Sequence, residues 1–408
     1  MTRRTVVVAG CRTPFAKSGG RLRSLLASDL GAIAVREALA RSPVAPKQVD
    51  EVVYGCVGPD ATEANPARVL ALRAGIPVEK PAVTVNRNCA SGMESLLEAS
   101  RRIALGEADV VVAGGAEAMS RYPLSYGPEA TVLFEKLARA KTVGARLATL
   151  AKFRPRHLKP RIALVEGLTD PTCGLNMGET AELVAREAHV SREEQDLFAL
   201  RSHQRASAAE REGRLAEEIA PVVLPTEMLD RDDGIRHEQS IEQLRKLRPL
   251  FDRRTGTITA GNSCQITDGA VALVLASEER ARAEGWPVLG RLEAAAVRGL
   301  DPAHMGLGPV HAIQALLEKT GRAVGDVDAY EINEAFAAQV IACLRSLVVD
   351  EAKLNREGGA IALGHPVGAS GARLVLTLLL QMRRRGERSG IASLCVGGGQ
   401  GVAVLLER

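Results

Sequence analysis

Cys89 sits in Asn86-Arg87-Asn88-Cys89-Ala90-Ser91-Gly92, after the β-type run Val83-Thr84-Val85 and before a segment whose apolar residues Met93, Leu96, Leu97, Ile103 and Ala104 recur at helical spacing. The pattern predicts a thiol at a helix N-terminus. Unpaired backbone N–H groups and the positive end of the helix dipole favour an anion there, so the position is expected to lower the cysteine's pKa and make it a sulfur nucleophile. The plain alternative is a small hydrophobe buried in a strand-to-helix turn.

Three later motifs carry chemistry that suits such a sulfur. In Glu331-Ile332-Asn333-Glu334-Ala335-Phe336-Ala337 a β-type run ends and a helix begins, which either projects Asn333 into a cleft or makes it a helix N-cap. In Gly358-Gly359-Ala360-Ile361-Ala362-Leu363-Gly364-His365-Pro366-Val367-Gly368-Ala369-Ser370-Gly371, glycines flank a single imidazole. They let a ligand and other backbones approach the side chain best suited to moving a proton near neutral pH; a buried structural histidine is the alternative. In Cys395-Val396-Gly397-Gly398-Gly399-Gln400-Gly401, the glycines form a tight turn before the strand Val402–Leu406. Their N–H groups can face a developing oxyanion, and Cys395 is a second thiol able to give or take a proton. A plain glycine hairpin is the competing reading. A phosphate loop is excluded because the Lys-Ser/Thr ending is missing.

The elements that must position these groups follow from an alternation of apolar β-type runs with amphipathic helices, which predicts a layered α/β fold with mainly parallel sheets. The expected strands are Thr5–Ala9, Glu51–Tyr54, Ala82–Val85, Asp109–Ala113, Ala270–Ala276, Asp328–Ile332, Gly359–Leu363 and Ile391–Val396. A weak internal repeat organises them. Cys89-Ala90-Ser91-Gly92, a helix and Val110–Gly115 resemble Gly368-Ala369-Ser370-Gly371, a helix and Ile391–Gly399, so the halves read as copies of one unit. The expected organisation is a first half over 1–124, continued by about 264–285, an inserted loop domain over 125–263, and a second half over 286–408. The insertion is basic, Pro-punctuated and helix-rich, and is the expected source of substrate specificity.

The 408 residues, 46% of them hydrophobic, suffice for a large buried core and two or three domains. Seven cysteines at scattered positions argue against a disulfide scaffold and for a reducing compartment, and no two form the close pair that a zinc site needs. No apolar run matches a signal peptide or a membrane span, and the tail carries no recognisable address, so a cytoplasmic location is expected. The net charge of +4 is mild but uneven. Lys136, Arg139, Lys141, Arg146, Lys152, Arg154, Arg156, Lys159 and Arg161 face only Glu129, Glu135 and Glu166 between residues 129 and 168. Such a stretch suits a phosphorylated cofactor, an anionic membrane surface or plain solvent. Nucleic acid is disfavoured, because only Phe134 and Phe153 are there to stack on bases.

Together these blocks, with Arg12-Thr13-Pro14-Phe15 and Thr259-Ala260-Gly261-Asn262-Ser263, resemble the thiolase family of acyl-CoA acyltransferases, which make or cleave 3-ketoacyl-CoA. The resemblance covers nearly the whole chain. It implies a thiolase-like fold, two duplicated α/β halves stacked in five layers with an inserted loop domain. It implies Cys89 as the acylated nucleophile, His365 as the base that takes its proton, and Cys395 as the acid/base at the α-carbon. One oxyanion hole would comprise His365 and a water held by Asn333, the other the N–H groups of Cys89 and Gly397. Claisen chemistry needs both, because the enolate and the tetrahedral intermediate each place negative charge on an oxygen. Acylation of the sulfur divides the reaction into two half-steps with ping-pong kinetics.

For coenzyme A, a substrate rather than a resident cofactor, the resemblance points to Met177, Ala260, Ser263, Cys264 and Phe336. Two positions depart from the family pattern: Asn176 stands where many short-chain members have His, and Cys264 replaces the common Ser or Ala. The family is usually dimeric or tetrameric, and residues 136–161 resemble the enlarged loop of thiolases that handle longer acyl chains, dock to a β-oxidation partner enzyme or meet a membrane surface. A ketoacyl synthase would pair its cysteine with two histidines, and Cys395 occupies the place of one. The lipid-transfer-linked branch usually carries a His-Asp-Cys-Phe block where this chain has Asn333–Phe336. An inactive CoA-binding scaffold is the non-enzymatic alternative.

Overall fold

The computed structural model describes residues 3–408, which divide into two compact units, one spanning Tyr122–Thr169 and one comprising the rest. The larger unit opens with β1 (Thr5–Arg12), α1 (Ala27–Ala40), β2 (Glu51–Gly55), α2 (Pro66–Arg73), β3 (Ala82–Val85), α3 (Ser91–Leu105) and β4 (Val110–Ala118). The smaller unit contributes α4 (Pro128–Arg139) and α5 (Val143–Leu150). The larger unit resumes with α6 (Met177–Glu187), α7 (Arg192–Arg211), β5 (Thr267–Ser277), β6 (Gly290–Gly299) and α8 (Gly308–Thr320). It ends with β7 (Ala329–Ile332), α9 (Ala337–Leu347), α10 (Ala360–Leu363), α11 (Val367–Arg385), β8 (Ser389–Val396) and β9 (Gln400–Glu407). The expected insertion over 125–263 spans the smaller unit and a following stretch, from residue 170, that belongs to the larger one.

These strands, with the short strand Ala16–Lys17 on β5, form one sheet in the order β7-β8-β9-β6-β1-β5-β4-β2-β3. Its direction corrects the expectation of mainly parallel pairing. Only β2/β3, β2/β4 and β7/β8 are parallel; β1/β5, β1/β6, β4/β5, β6/β9 and β8/β9 are antiparallel. A tight turn can join only antiparallel neighbours, and the β8–β9 turn is such a one, with Gly398 and Gly399 at φ 90° and 75°. The series β2-β4-β5-β1 and β7-β8-β9-β6 share the same sequence of directions, and β3 has its counterpart in a lone parallel bridge, Tyr330 to Leu354. The duplication is therefore architectural.

Alternation along the strands sets the layers, because successive side chains leave opposite faces of a sheet. Val6, Val8, Val110, Val112 and Val274 face α1 and α2 in one core, whereas Val7, Val111, Ala113 and Leu273 face α3 and α11 in a second. On the other copy Val402, Val404 and Leu406 face that same central core, while Ala403 and Leu405 face α8 and α9 in a third. Helices, one half of the sheet, helices, its other half and helices thus stack as five layers. Each fully buried Leu or Val adds about 1.5–3 kcal/mol. In the middle layer α3 and α11 meet at their N-terminal turns. A Cβ on Gly92 would lie 2.7 Å from the Gly368 carbonyl oxygen, and one on Gly371 would lie 2.5 Å from the Met93 nitrogen.

Two local expectations change. Gly359–Leu363 was expected as a strand, but 360–363 form the short helix α10; a short apolar run fits a buried helical turn as well as a strand. β6 was not expected, since Gly-Arg-Leu-Glu-Ala-Ala-Ala-Val-Arg-Gly has helix-favouring composition; pairing to β1 and β9 decides its conformation.

Candidate active site

The turn that carries Cys89 is built from its own polar side chains. Asn86 Oδ1 accepts the Asn88 N–H at 2.9 Å, and Ser91 Oγ accepts the Arg87 N–H at 2.9 Å while donating to the Asn88 carbonyl at 2.7 Å. Asn88 lies at φ 44°, a left-handed conformation that asparagine tolerates better than most residues. Its Nδ2 donates to the Gly397 carbonyl at 2.8 Å, linking the Cys89 turn to the glycine turn of the other copy.

Cys89 is half-buried, and its thiol pKa is raised, contrary to the expectation from its place before α3. Burial is the largest influence and outweighs two backbone N–H groups that hydrogen-bond the sulfur, those of Gly397 and of Cys89 itself; the charge of Glu117 pushes upward as well. The resting group is therefore a neutral thiol. The two N–H groups nonetheless converge on the sulfur, from opposite copies of the repeat.

His365 and Asn333 come together on the second copy, both buried. Asn333 Nδ2 lies 3.5 Å from His365 Nε2, and Asn333 Oδ1 is buried without a protein partner. The other ring nitrogen, Nδ1, is 2.6 Å from Ser370 Oγ, and the His365 N–H donates to the Gln265 carbonyl at 2.9 Å. Burial, helped by the charge of Arg373, pulls the imidazole pKa down to about 4, so the ring is neutral near pH 7. Asn333 is not a helix N-cap; α9 starts after Phe336.

Cys395 is buried at the end of β8, and burial together with the neighbouring thiols Cys89, Cys343 and Cys264 holds its pKa well above the ordinary thiol value. Cys264 is pushed up to about 12 by burial, with Cys89 as the next influence. Cys395 packs in one apolar cluster with Met305, Ala335 and Phe336, against which Met177 and Phe251 lean. Met177 opens α6, capped by Asn176, whose Oδ1 accepts the Gly178 N–H at 3.0 Å. The loop holding Ala260, Ser263 and Cys264 clips onto the Asn333 motif: the Cys264 N–H donates to the Ala335 carbonyl at 3.0 Å and the Ala337 N–H to the Asn262 carbonyl at 2.9 Å. Ala260 is exposed and Ser263 buried.

Sequence reasoning missed the residues that hold these groups. Glu117, fully buried on β4, accepts the N–H groups of Val57 and Gly58 and that of Gly368 in the first turn of α11, at 3.0, 2.9 and 2.9 Å. Glu334 accepts from Ser202 Oγ at 2.6 Å, Asn355 Nδ2 at 3.0 Å and the Ile361 N–H at 3.2 Å. It ties α7 to the chain leading into His365, and a Cβ on Gly359 would lie 2.2 Å from its carboxyl carbon. Arg373 pairs with Glu331 at 2.8 Å in the interior. The repeated Ala-Ser-Gly triplet was the signal for Ser370; a buried carboxylate inside an apolar strand gave none for Glu117.

The smaller unit holds a cavity of about 630 Å³ lined by residues that include Arg156, His157, Lys159, Arg161, Ile162 and Glu166. Cys89, Asn333, His365 and Cys395 do not line it. No described helix is long and apolar enough to cross a membrane.

Comparison with known proteins places these geometries in company. A family model for the thiolase N-terminal domain matches residues 5–279, and one for the thiolase C-terminal domain matches residues 286–408. An acetyl-CoA acetyltransferase of Rhizobium meliloti is 42% identical over 407 residues, covering 99% of this chain and 98% of the relative. A 3-oxoadipyl-CoA/3-oxo-5,6-dehydrosuberyl-CoA thiolase of Escherichia coli is 42% identical over 417 residues, covering both chains fully. The crystal structure of human mitochondrial 3-ketoacyl-CoA thiolase in complex with CoA superposes with a TM-score of 0.90 at 39% identity, covering 99% of this chain and 98% of that one.

Proposed function

The chain belongs to the thiolase family, and from that premise we propose that Cys89, His365, Cys395, Asn333 and Gly397 carry its acyl transfer. The protein is a CoA-dependent thiolase whose substrates are acyl-CoA and CoA. The roles assigned to individual residues follow from their surroundings.

In thiolysis, His365 Nε2 takes the Cys89 proton as the sulfur attacks the 3-keto carbonyl of the substrate. The oxyanion so formed lies beside the N–H groups of Cys89 and Gly397, because these already converge on the sulfur that the reacting carbon joins. Collapse breaks the C2–C3 bond and expels the enolate of acetyl-CoA. Its oxygen is met by the proton now on His365 Nε2 and by a water held by Asn333, while Cys395 delivers its proton to C2. The thiol of incoming CoA then gives its proton to the Cys395 thiolate and attacks the acyl-Cys89 thioester. The shortened acyl-CoA leaves, and His365 returns the first proton to Cys89. Condensation is the same path reversed. The raised pKa of Cys395 keeps that thiol protonated for delivery, and the lowered pKa of His365 keeps its ring free to accept.

What supports this assignment most is the meeting, at one sulfur, of N–H groups from Gly397 and Cys89. Met177, Ala260, Ser263, Cys264 and Phe336 are proposed to line the pantetheine and acyl path, supported by the apolar cluster they share in part with Cys395. We assign the protein as an acetyl-CoA C-acyltransferase or C-acetyltransferase that condenses or cleaves 3-ketoacyl-CoA, working as a homodimer or homotetramer in the cytoplasm, a setting its free cysteines suit. The basic residues 136–161 are proposed to meet CoA phosphates, a β-oxidation partner or a membrane surface. Mass spectrometry after mixing with acetyl-CoA tests the site: an acetyl adduct on Cys89 is expected, and its absence overturns the assignment. Thiolysis of acetoacetyl-CoA against a longer 3-ketoacyl-CoA tests the substrate; the faster compound sets the acyl-length range, and turnover of neither overturns the assignment.

A further inference from the structure

Two serines occupy the same position in the two copies, Ser91 in Ala90-Ser91-Gly92 and Ser370 in Ala369-Ser370-Gly371. The roles of the first are fixed by its partners. Ser91 Oγ accepts from the Arg87 N–H at 2.9 Å, since a backbone N–H can only donate, and gives its own proton to the Asn88 carbonyl at 2.7 Å, since a carbonyl can only accept. Ser370 repeats the arrangement: its Oγ donates to the Pro366 carbonyl at 2.9 Å, and at 2.6 Å it meets not a backbone N–H but His365 Nδ1. A hydroxyl has one proton. With that proton on the Pro366 carbonyl, Ser370 is left as an acceptor, and Nδ1 must supply the hydrogen.

The far side of the ring imposes the same polarity independently. Asn333 turns its amide nitrogen toward Nε2 at 3.5 Å, and an amide nitrogen can only donate, so Nε2 accepts. Asn333 Oδ1, left buried with no protein partner, is then the acceptor facing the reaction space. From Asn333 through His365 and Ser370 to Pro366, every hydrogen bond points one way.

We propose that Ser370 is a positioning residue which, backed by the Pro366 carbonyl, locks His365 as its Nδ1–H tautomer and so keeps an unprotonated Nε2 ready for the nucleophile's proton. The second copy thus reuses a turn-building serine to orient an imidazole. A neutral histidine has two tautomers, and the hydrogen bond at one nitrogen selects which nitrogen can act as base. This inference rests on the assignment of His365 as the base, but its main readout does not.

The experiment uses the full-length enzyme with ¹⁵N-labelled histidine, the His365 signals being assigned by their loss in His365→Asn. At neutral pH the wild-type ring is expected to show a protonated Nδ1 and a bare Nε2. Ser370→Ala should move the ring toward the Nε2–H form and lower kcat about 10- to 100-fold, with KM for acyl-CoA held within about twofold. Ser370→Thr, which keeps the hydroxyl, should restore most of both. The proposal falls if wild-type Nε2 carries the proton, or if Ser370→Ala leaves the tautomer unchanged whatever happens to kcat. Should Ser370→Ala not fold, the wild-type spectrum decides alone. Full turnover by His365→Asn would instead overturn the catalytic assignment and leave the tautomer result standing.

Discussion

The two copies differ most where they resemble each other most closely, at the N-terminal turns of α3 and α11. In the first copy β3 passes through Asn86–Ala90 directly into α3. In the second, the bridge at Leu354 and the turn bridge Arg356 to Gly358 repeat β3 and the bridge Arg87 to Cys89, but α10, Gly364, His365 and Pro366 intervene before α11. The position equivalent to Cys89 is Gly368, where a Cβ would lie 2.4 Å from Glu117 Oε2 and 2.8 Å from the Ala116 carbonyl oxygen. One copy therefore keeps a thiol at its helix start. The other gives up that side chain so that the start of α11 can close on Ala116 and Glu117 of β4, and places an imidazole on the added loop. Duplication supplies the frame, and departures from symmetry supply the chemistry.

That contrast can be broken in order of severity. Cys89→Ala removes the one reactive atom of the first copy and should lower thiolysis by roughly 10⁴-fold or more, with no acetyl adduct seen by mass spectrometry. His365→Asn removes the proposed base from the second copy and should cost about 10²–10⁴-fold in kcat, read in steady-state assays with acetoacetyl-CoA.

Acid titration sharpens the comparison of the imidazole proposed to act as base with a second buried imidazole. His365 and His203 are both pulled from 6.5 down to about 4, chiefly by burial. The unfolded chain therefore binds protons first as pH falls, so stability fully present above about pH 6.5 drains toward pH 4, by up to about 3 kcal/mol for each ring. His203→Asn should flatten part of that slope in urea titrations run between those pH values, and an unchanged slope would refute the contribution. The smallest effect is expected from Ser91→Ala. Loss of its hydroxyl should cost about 1 kcal/mol in denaturant stability and leave the His365 tautomer as in wild type, unlike Ser370→Ala.

The sequence revealed the parts of this design that repeat or punctuate. The continuous apolar runs Val110–Ala113 and Val402–Leu406 marked strands buried on both faces, and the Ala-Ser-Gly triplets exposed the duplication. Cys89, Asn333, His365 and Cys395 stood out because each reactive type sits at a strand end or among glycines. What sequence did not carry is set by distant packing. The direction of β5 between β4 and β1, the strand conformation of the Ala-rich β6, and the helical turn at 360–363 depend on partners far along the chain. The raised pKa of Cys89 belongs with them: local helix geometry favours the anion, but burial by the rest of the molecule disfavours it more strongly.

The place of β9 has a consequence for synthesis. It follows every other described strand in the chain, yet it lies inside the sheet, between β8 and β6, rather than at a margin. A growing polypeptide can assemble α1, α2 and the first four strands of one copy while still attached to the ribosome, but the other half of the sheet stays split until β9 slides into the gap. Gly397 lies in the turn between β8 and β9, so the seating of its amide against Cys89 belongs to the closing of that half of the sheet.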